Sequence, residues 1–288
     1  MYLSREQIER TAHMSSRDAA RHLGVGKTSV NKYRTEYFST TRTTELPNAK
    51  ILTLDIESYP GLWYSWGPRA DWLPAGMMKE PGGMMCFAAK WLGSEEVMFY
   101  RGDSAVYEAH RLLSEADLVI TYNGDRYDLK RLNNEFLRLN LAPPKPYRSI
   151  DLFKTNRAQF DLPYKKLDTI AQFTGLGEKL KHQGFDLWID CMADDPEAWI
   201  VMEDYNKQDV VLTEKLYVKL LPWLKNVPHM GMFATGGGAC PYCAHNVLRA
   251  DGTTFTFVQE YVLFQCENCQ GWSRSTKPLA SPVTTRLR

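Results

Sequence analysis

The stretch ILTLDIES, residues 51–58, is the most informative part of this chain, because two acidic residues follow an apolar segment. The residues before Asp55 are apolar or β-branched, which predicts a buried strand. Side chains alternate along a strand, so Asp55 and Glu57 point to the same side. Burying two like charges is costly. A divalent cation is the obvious neutralising partner, and the strand alone leaves the identity of that partner open.

Length and composition indicate a globular protein of one large domain or two to three smaller ones. The chain has 288 residues, of which 44% are hydrophobic, so it can bury a sizeable core. It contains no apolar run long enough to span a membrane, and the first residues, MYLSREQIER, contain no apolar signal-peptide segment. We therefore expect a cytoplasmic protein without a membrane partner.

The net charge of +1 conceals an uneven distribution of charge. Residues 1–50 carry nine Lys/Arg against five Asp/Glu, and residues 225–288 carry six against three. Residues 51–224 carry 20 Lys/Arg against 26 Asp/Glu. Basic ends suit a polyanion, and an acidic middle suits metal binding. Ordinary variation of surface charge is the alternative.

The first 45 residues predict a small all-α domain and a linker. In SSRDAARHLGVGKTSVNKYR, residues 15–34, Ser16 can cap a helix that Gly24 ends, and a second helix begins near Lys27 with Val30 buried. This pattern resembles helix-turn-helix DNA-binding modules of the winged or homeodomain-like kind; the alternative is a helical hairpin that contacts a protein. Residues 39–48, STTRTTELPN, predict the linker. The resemblance implies nucleic-acid contacts from Lys27, Thr28, Ser29, Asn31, Lys32 and Arg34.

Alternating strand and helix patterns follow the first strand. MMCFAAKWLG (residues 84–93) and EEVMFYRG (95–102) predict two more strands in meander order, and residues 118–122 predict a fourth. A turn at Asn123-Gly124 leads into a helix near Tyr127, which puts Asp128 in the first turn, where an acidic side chain is favourable. In residues 203–220 the apolar spacing predicts a helix with Tyr205 and Asp209 on one face near its start.

The three acidic motifs occur in a characteristic order: D-x-E on a strand, N-G-x-x-[YF]-D at a strand–helix junction, and Y-x-x-x-D on a later helix. Together they resemble the DEDD-type 3′–5′ exonucleases of the DEDDy branch, over residues 46–224. The resemblance implies an α/β, ribonuclease-H-like fold with a mixed five-stranded sheet flanked by helices. Proofreading domains of family B polymerases share these motifs. The blocks WGP, AAKWLG and HQGFDLW resemble stand-alone, often phage-encoded, members, and a phage-encoded protein would be expected in the host cytoplasm.

The resemblance also implies roles for the motif residues around two Mg²⁺ or Mn²⁺ ions. Asp55 would bridge both ions, Glu57 and Asp209 would complete the ion that activates water, and Asp128 would hold the other ion, directly or through water. Tyr205 would orient the attacking water. Such ions supply an activated water and stabilise the leaving oxygen, and they prefer carboxylate ligands. Asn123 would position the helix or contact substrate.

Two further residues have open alternatives. Asp151 can support the carboxylate site or cap the end of a strand. His182 can contact a phosphate, although a solvent-facing loop position is favoured. Cys86 and Cys191 are expected to be packing residues.

The remaining four cysteines predict a zinc site in a small β domain over residues 225–275. Cys240, Cys243, Cys266 and Cys269 have the spacing C-x₂-C-x₂₂-C-x₂-C, with hairpin-like strands between the pairs, and resemble a zinc ribbon with one structural Zn²⁺. Ala244 and Gln270 stand where a ribbon often has Gly. Trp272 and Arg274 could contact nucleic acid, or the ribbon could pack on the central domain or bind a protein. Residues 276–288 are expected to form a flexible tail.

The combined interpretation is a metal-dependent 3′–5′ exonuclease that acts at DNA 3′ ends in replication or repair. DNA is favoured over RNA because of the helix-turn-helix pattern, and a separate DNA polymerase or replication protein is a candidate partner. One alternative is a ribonuclease of the same fold. The other is a DNA-binding regulator or replication scaffold with a partner-dependent nuclease core.

Overall fold

The computed structural model describes residues 3–4, 7, 10–11, 14, 16–38, 48–67, 72–225, 227–234 and 239–279. Residues 39–47 of the predicted linker and residues 280–288 of the predicted tail lie outside these ranges. In the part of the chain that is described, no helix has the length and apolarity needed to cross a membrane.

Among the described residues, two helices come first and five strands follow; helices and strands alternate over residues 103–159, three further helices come next, and three strands come last. The strands are β1 (Ile51–Tyr59), β2 (Leu62–Trp63), β3 (Met78–Glu80), β4 (Gly83–Trp91), β5 (Met98–Arg101), β6 (Leu118–Thr121), β7 (Arg148–Asp151), β8 (Leu248–Phe255), β9 (Glu260–Cys266) and β10 (Trp272–Arg274). The helices are α1 (Ser16–Leu23), α2 (Lys27–Phe38), α3 (Asp103–Glu115), α4 (Asp128–Arg138), α5 (Leu152–Gln159), α6 (Leu167–Thr174), α7 (Asp186–Met192) and α8 (Pro196–Leu220).

A mixed five-stranded sheet with the order β5-β4-β1-β6-β7 forms the centre of the molecule. Strands β4 and β5 continue antiparallel from β1, as the predicted meander requires, whereas β6 and β7 run parallel to β1. Strand β6 ends at Thr121, one residue before the predicted end. The short hairpin β2–β3 between β1 and β4 was not predicted. The α/β, ribonuclease-H-like fold class is confirmed.

Alternation along β1 divides its side chains between two apolar layers. Leu52, Leu54 and Ile56 pack in the layer that includes helices α3 and α4. Ile51 faces the other side of the sheet and packs with residues of α5, α6 and α8. Asp55 and Glu57 have the parity of Ile51, so the strand directs both carboxylates toward the α8 side.

The N-terminal helices α1 and α2 form the predicted hairpin. Gly24 separates them with a φ of 65°, a backbone conformation that glycine adopts without steric cost. Val30 is fully buried and packs with Ala19 and Ala20. Of the residues with predicted nucleic-acid contacts, Lys27, Thr28 and Asn31 are exposed and Ser29 is half-buried, while the side chains of Lys32 and Arg34 lie outside the described part of the structure.

The C-terminal sheet packs on the central domain. Its antiparallel strands have the order β10-β9-β8. The four paired cysteines belong to the same buried cluster as Leu216, Tyr217 and Leu220 of α8. The alternative that this small β domain packs on the central domain is therefore observed.

Candidate active site

Three predicted carboxylates converge between β1 and α8. Asp55 and Glu57 each place a carboxylate oxygen within 4.8 Å of one from Asp209. Asp209 is buried in the helix layer. The side-chain amide of Asn206 donates to the Asp55 carboxylate at 2.7 Å and thereby fixes its orientation. The sequence thus places acids from two distant segments at one point.

Tyr205 and Asp209 lie in the middle of α8, so the prediction that they lie near its start was wrong. The helix begins at Pro196, and the Asp195 side chain caps it by accepting a hydrogen bond from the Glu197 N–H at 2.9 Å. An acidic cap followed by proline is a helix-start signal, and it was visible in the sequence. The one-turn spacing of Tyr205 and Asp209 places both side chains on the face that packs against β1 and β4.

Asp128 starts α4 as predicted and is buried beside the carboxylate group. One of its oxygens accepts a hydrogen bond from the Ile56 N–H at 3.0 Å, which ties the helix to β1 between the two acids of that strand. Asp128 does not belong to the group of oxygens within 4.8 Å of one another. The preceding turn requires Asn123 at a φ of 69°, and a side chain at Gly124 would clash with Thr121.

Asp151 acts as a cap at the end of β7 and also holds the turn before Asp128. Its carboxylate accepts hydrogen bonds from the N–H groups of Phe153 at 3.0 Å and Asn123 at 2.7 Å. His182 lies in the loop between α6 and α7, and its Nδ1 accepts a hydrogen bond from the Gly184 N–H at 3.2 Å. Its ring is half-buried and packs edge-on against Tyr205, with 4.7 Å between centroids, and against Trp188.

Lys179 enters the site and was missed by the sequence interpretation. Its ammonium forms an ion pair with Asp209 and donates to the Tyr205 hydroxyl at 3.1 Å. Burial lowers the pKa of Lys179, but Asp209 and Tyr205 raise it more, so the pKa is raised overall and the side chain is charged. Lys179 lies in a loop between α6 and α7, and no helical or strand spacing connects it to the acidic motifs.

Burial and mutual repulsion dominate the electrostatics of the carboxylates. Burial, followed by repulsion from Asp128, Asp209 and Glu57, raises the pKa of Asp55 well above its usual value. Burial and then Asp209 raise the pKa of Glu57 to about 8. Burial also raises the pKa of Asp128, to about 6. One lysine therefore does not neutralise this group.

Comparison with known protein families gives the same fold. The model of the RNase_H superfamily, RNase_H_2, matches residues 76–221, half of the chain, including Asp128, Tyr205 and Asp209. The chain belongs to the RNase H superfamily. The matched RNase H region begins after β1, so Asp55 and Glu57 lie outside it.

One solved structure is similar to this chain at low sequence identity. The family B DNA polymerase from the hyperthermophilic archaeon Pyrobaculum calidifontis is similar over 60% of this chain, with 17% sequence identity and a TM-score of 0.47. The similar part is 25% of the polymerase chain, so this chain spans about a quarter of its length. No curated protein matches the chain.

The donor set of the RNase H site fits a divalent ion. Asp55, Glu57 and Asp209 offer only carboxylate oxygens, which are the ligands that Mg²⁺ and Mn²⁺ prefer. The Oδ1 atom of Asp209 is buried and has no hydrogen-bond partner among the described residues. A buried carboxylate oxygen without a partner is costly, and a bound cation would remove that cost.

The four paired cysteines fit a zinc ion. All four sulfur atoms lie within 4.8 Å of one another. The Sγ–Sγ distances are 3.6 Å for Cys240–Cys269 and 3.7 Å for Cys243–Cys266, and tetrahedral Zn–S bonds of about 2.3 Å require sulfurs about 3.8 Å apart. The N–H groups of Tyr242 and Gly271 also point at Cys240 and Cys269 Sγ, at 3.4 Å. The other two cysteines, Cys86 and Cys191, are buried in an apolar cluster, as predicted.

Proposed function

We propose that this protein is a metal-dependent 3′–5′ exonuclease that hydrolyses phosphodiester bonds at DNA 3′ ends by a two-metal mechanism. The observation that carries the proposal is the convergence of Asp55, Glu57 and Asp209, with an unpartnered buried oxygen, on the sheet of an RNase H fold. A chain retained only as a scaffold would gain stability by losing such acids, because they repel one another in a buried site. Intact acids therefore favour catalysis.

Each residue of the site has a separate task in this proposal. Asp55, Glu57 and Asp209 would hold one divalent ion, and Asp55 and Asp128 would hold the second. When bound, the ions lower the pKa of a water and stabilise the charge that develops on the leaving oxygen. Asn206 keeps the Asp55 carboxylate in place, and the Ile56 N–H does the same for Asp128.

Tyr205 would contact the attacking water, and Lys179 would contact the substrate phosphate. Because the Lys179 ammonium donates to the Tyr205 hydroxyl oxygen, the hydroxyl retains its own proton for donation. We assign it to orienting the attacking water. The edge of the His182 ring against Tyr205 restricts the tyrosine to this position.

The DNA preference rests on the N-terminal helix hairpin, whose exposed Lys27, Thr28 and Asn31 suit groove and phosphate contacts.

Digestion of end-labelled oligonucleotides tests the proposal. Single-stranded DNA and RNA of one sequence, labelled at the 3′ or the 5′ end, are incubated with the zinc-loaded protein and Mg²⁺ or Mn²⁺. We expect immediate release of a labelled mononucleotide from the 3′-labelled DNA and a shortening ladder from the 5′-labelled DNA. Asp55→Ala should lower the rate by at least about 100-fold. Glu95→Ala, an exposed acid in the turn between β4 and β5, is the matched control and should retain full activity.

The other outcomes separate the alternatives. Faster cleavage of RNA than of DNA would identify a ribonuclease of the same fold. Shortening from the 5′ end would contradict the assigned polarity. Absence of cleavage of either polymer by folded, zinc-loaded protein would reject a stand-alone nuclease and favour a partner-dependent core or a DNA-binding scaffold.

A further inference from the structure

One face of the C-terminal sheet carries an ordered row of basic and aromatic side chains. Arg249 of β8 pairs with Gln265 of β9, which pairs with Trp272 of β10, so the three residues form a line across the sheet on one face. The guanidinium of Arg249 donates to the Gln265 side-chain oxygen at 3.0 Å. Two residues further along β10, Arg274 has the same orientation as Trp272. We call this set of residues the ribbon face.

The ribbon face points away from the central domain. The neighbouring pair, Leu248 and Cys266, has the opposite parity and packs into the core shared with α8. Arg249 and Arg274 are exposed, and 45% of the Trp272 surface is accessible. The face that is left uncovered is therefore the one that carries the two arginines and the tryptophan.

Arg274 is held in place without being neutralised. Its guanidinium lies 3.7 Å from the centroid of the Tyr261 ring, which is almost fully buried. In the described part of the chain Arg274 makes no ion pair, whereas Arg249 has Asp251 at 3.6 Å. A stacked guanidinium loses little freedom on binding and keeps its charge for an incoming anion.

A groove continues from this face around the edge strand β10. It has a volume of about 820 Å³ and is lined by Trp272 and Arg274, by Leu248, Phe264 and Ser273, whose strand positions have the opposite parity, and by Tyr242, His229, Asn246 and Ser275. No acidic residue lines it in the described part of the chain. A flexible polyanion can therefore follow the groove over the edge strand without meeting a carboxylate of its described lining, whereas on the face itself Asp251 lies 3.6 Å from Arg249.

We propose that the ribbon face binds single-stranded nucleic acid at a second contact outside the carboxylate site. An exposed ring that can stack on a base, beside a cation that can meet the next phosphate, is the combination that sequence-tolerant single-strand binding uses. An acidic peptide would satisfy the arginines but would leave the exposed Trp272 ring without a partner. The proposal deepens the proposed function, since the bound strand would be the one whose 3′ end enters the carboxylate site.

The test measures binding separately from cleavage. Full-length, zinc-loaded protein carrying Asp55→Asn, which prevents hydrolysis, is titrated into a fluorescein-labelled 20-nucleotide oligothymidylate without chelator, and anisotropy gives the Kd. Trp272→Ala should weaken binding about 5-fold or more, and Trp272→Phe should restore most of it. Arg274→Ala should also reduce the slope of log K against log salt concentration by about 0.7.

Two matched controls distinguish the ribbon face from general surface effects. Tyr107→Ala removes an aromatic residue that is 52% exposed on α3, and Lys277→Ala removes a positive charge three residues after Arg274. Neither should change the Kd by more than about 2-fold. Zinc content and circular dichroism verify that every variant is folded.

Several outcomes would overturn the proposal. One is unchanged binding in both Trp272→Ala and Arg274→Ala; another is an equal loss in Lys277→Ala. A third is a loss confined to Trp66→Ala, which would locate the contact at the β2–β3 hairpin. Failure of the proposed function looks different: the Asp55-intact protein would degrade no oligonucleotide, while the Asp55→Asn protein would still show binding that depends on Trp272.

Discussion

Lys179 supplies positive charge to the three converging carboxylates when no cation is bound. It pairs with Asp209 and contacts Tyr205, and 29% of its side chain is accessible. Nothing in the sequence spacing identifies it, because a loop residue reaches a site by the path of the chain and not by a periodic pattern. The acids could be predicted because strand and helix periods place them on defined faces.

The importance of Lys179 should depend on the metal. Without divalent ions, Lys179→Met leaves buried carboxylates unpaired and should lower the thermal midpoint by about 4 °C or more. With saturating Mg²⁺ the ion supplies the countercharge, so the difference should shrink. Calorimetry with and without Mg²⁺ measures both values. Lys154→Met, at a more exposed ion pair, is the control. An equal loss under both conditions would contradict this role.

Two residues that follow the cysteine pairs differ from the ribbon motif, yet their backbone has the geometry that the motif requires. Ala244 and Gln270 replace the glycines common in ribbons, yet they have φ angles of 61° and 62°. The turn geometry is retained at a steric cost of about 1–2 kcal/mol per residue. Fold constraints therefore override the local preference of the side chain.

Restoring glycine should relieve that cost. Ala244→Gly removes the Cβ contact but increases the entropy of the unfolded chain, so we expect a net stabilisation of up to about 1 kcal/mol. The denaturant concentration at the midpoint of unfolding of the zinc-loaded protein measures this stabilisation. Ala250→Gly on β8, at a position without positive φ, is the control and should destabilise. A lower midpoint for Ala244→Gly would show that the backbone is not strained there.

At the scale of elements, β4 and α8 are joined by a buried ion pair. Lys90 and Glu214 make the contact with only 11% and 15% of their side chains accessible. The second Glu214 oxygen is buried without a partner among the described residues. This pair connects β4, the strand next to β1, with the helix that carries Asp209. It therefore helps to fix the distance between the acids of β1 and Asp209.

Removing one partner of this pair should be worse than removing both. Lys90→Met leaves a buried unpaired carboxylate and should lower the free energy of unfolding by about 3 kcal/mol. The double variant Lys90→Met, Glu214→Leu should recover most of that loss, because two apolar side chains replace two charges. Denaturant unfolding measures the cycle. Additive losses would show that the two charges do not interact.

Elements were predicted well where the pattern was periodic and less well elsewhere. The strands with Asp55 and with residues 118–122 were visible from apolar and β-branched runs. Helix α8 starts at Pro196 after the Asp195 cap, whereas the apolar spacing of residues 203–220 predicts only its later part. The strands of the β2–β3 hairpin have two and three residues, too few to show an alternation, so the sequence offered no signal for it.

At the scale of the whole molecule, the cysteine cluster of the C-terminal sheet and the RNase H core are not independent. Four knuckle cysteines and the end of α8 share one buried cluster. The sequence predicted separate domains because their motifs are separate, but it carries no signal for which apolar surfaces meet. The boundary at residue 224 therefore divides the motifs without dividing the core.

Zinc removal should consequently destabilise the whole chain. A zinc-selective chelator, or Cys240→Ser, should lower the thermal midpoint of the central domain by several degrees, because the ribbon unfolds without metal and uncovers the end of α8. The loss of stability is measured by near-ultraviolet circular dichroism, which reports on the buried Tyr217 region, and by Mg²⁺-dependent activity. Cys191→Ser, which leaves the four knuckle cysteines intact, is the control. A central domain with an unchanged midpoint after zinc loss would contradict the shared core.

The shared cluster has a consequence for the life of the protein in a cell. In the folded protein Leu216, Tyr217 and Leu220 are buried together with the four paired cysteines. A chain synthesised during zinc shortage would expose these three side chains to solvent. Proteases and chaperones recognise exposed apolar segments of this kind. The amount of this protein would then follow the zinc supply, even though the carboxylates of Asp55 and Asp209 suit a different metal.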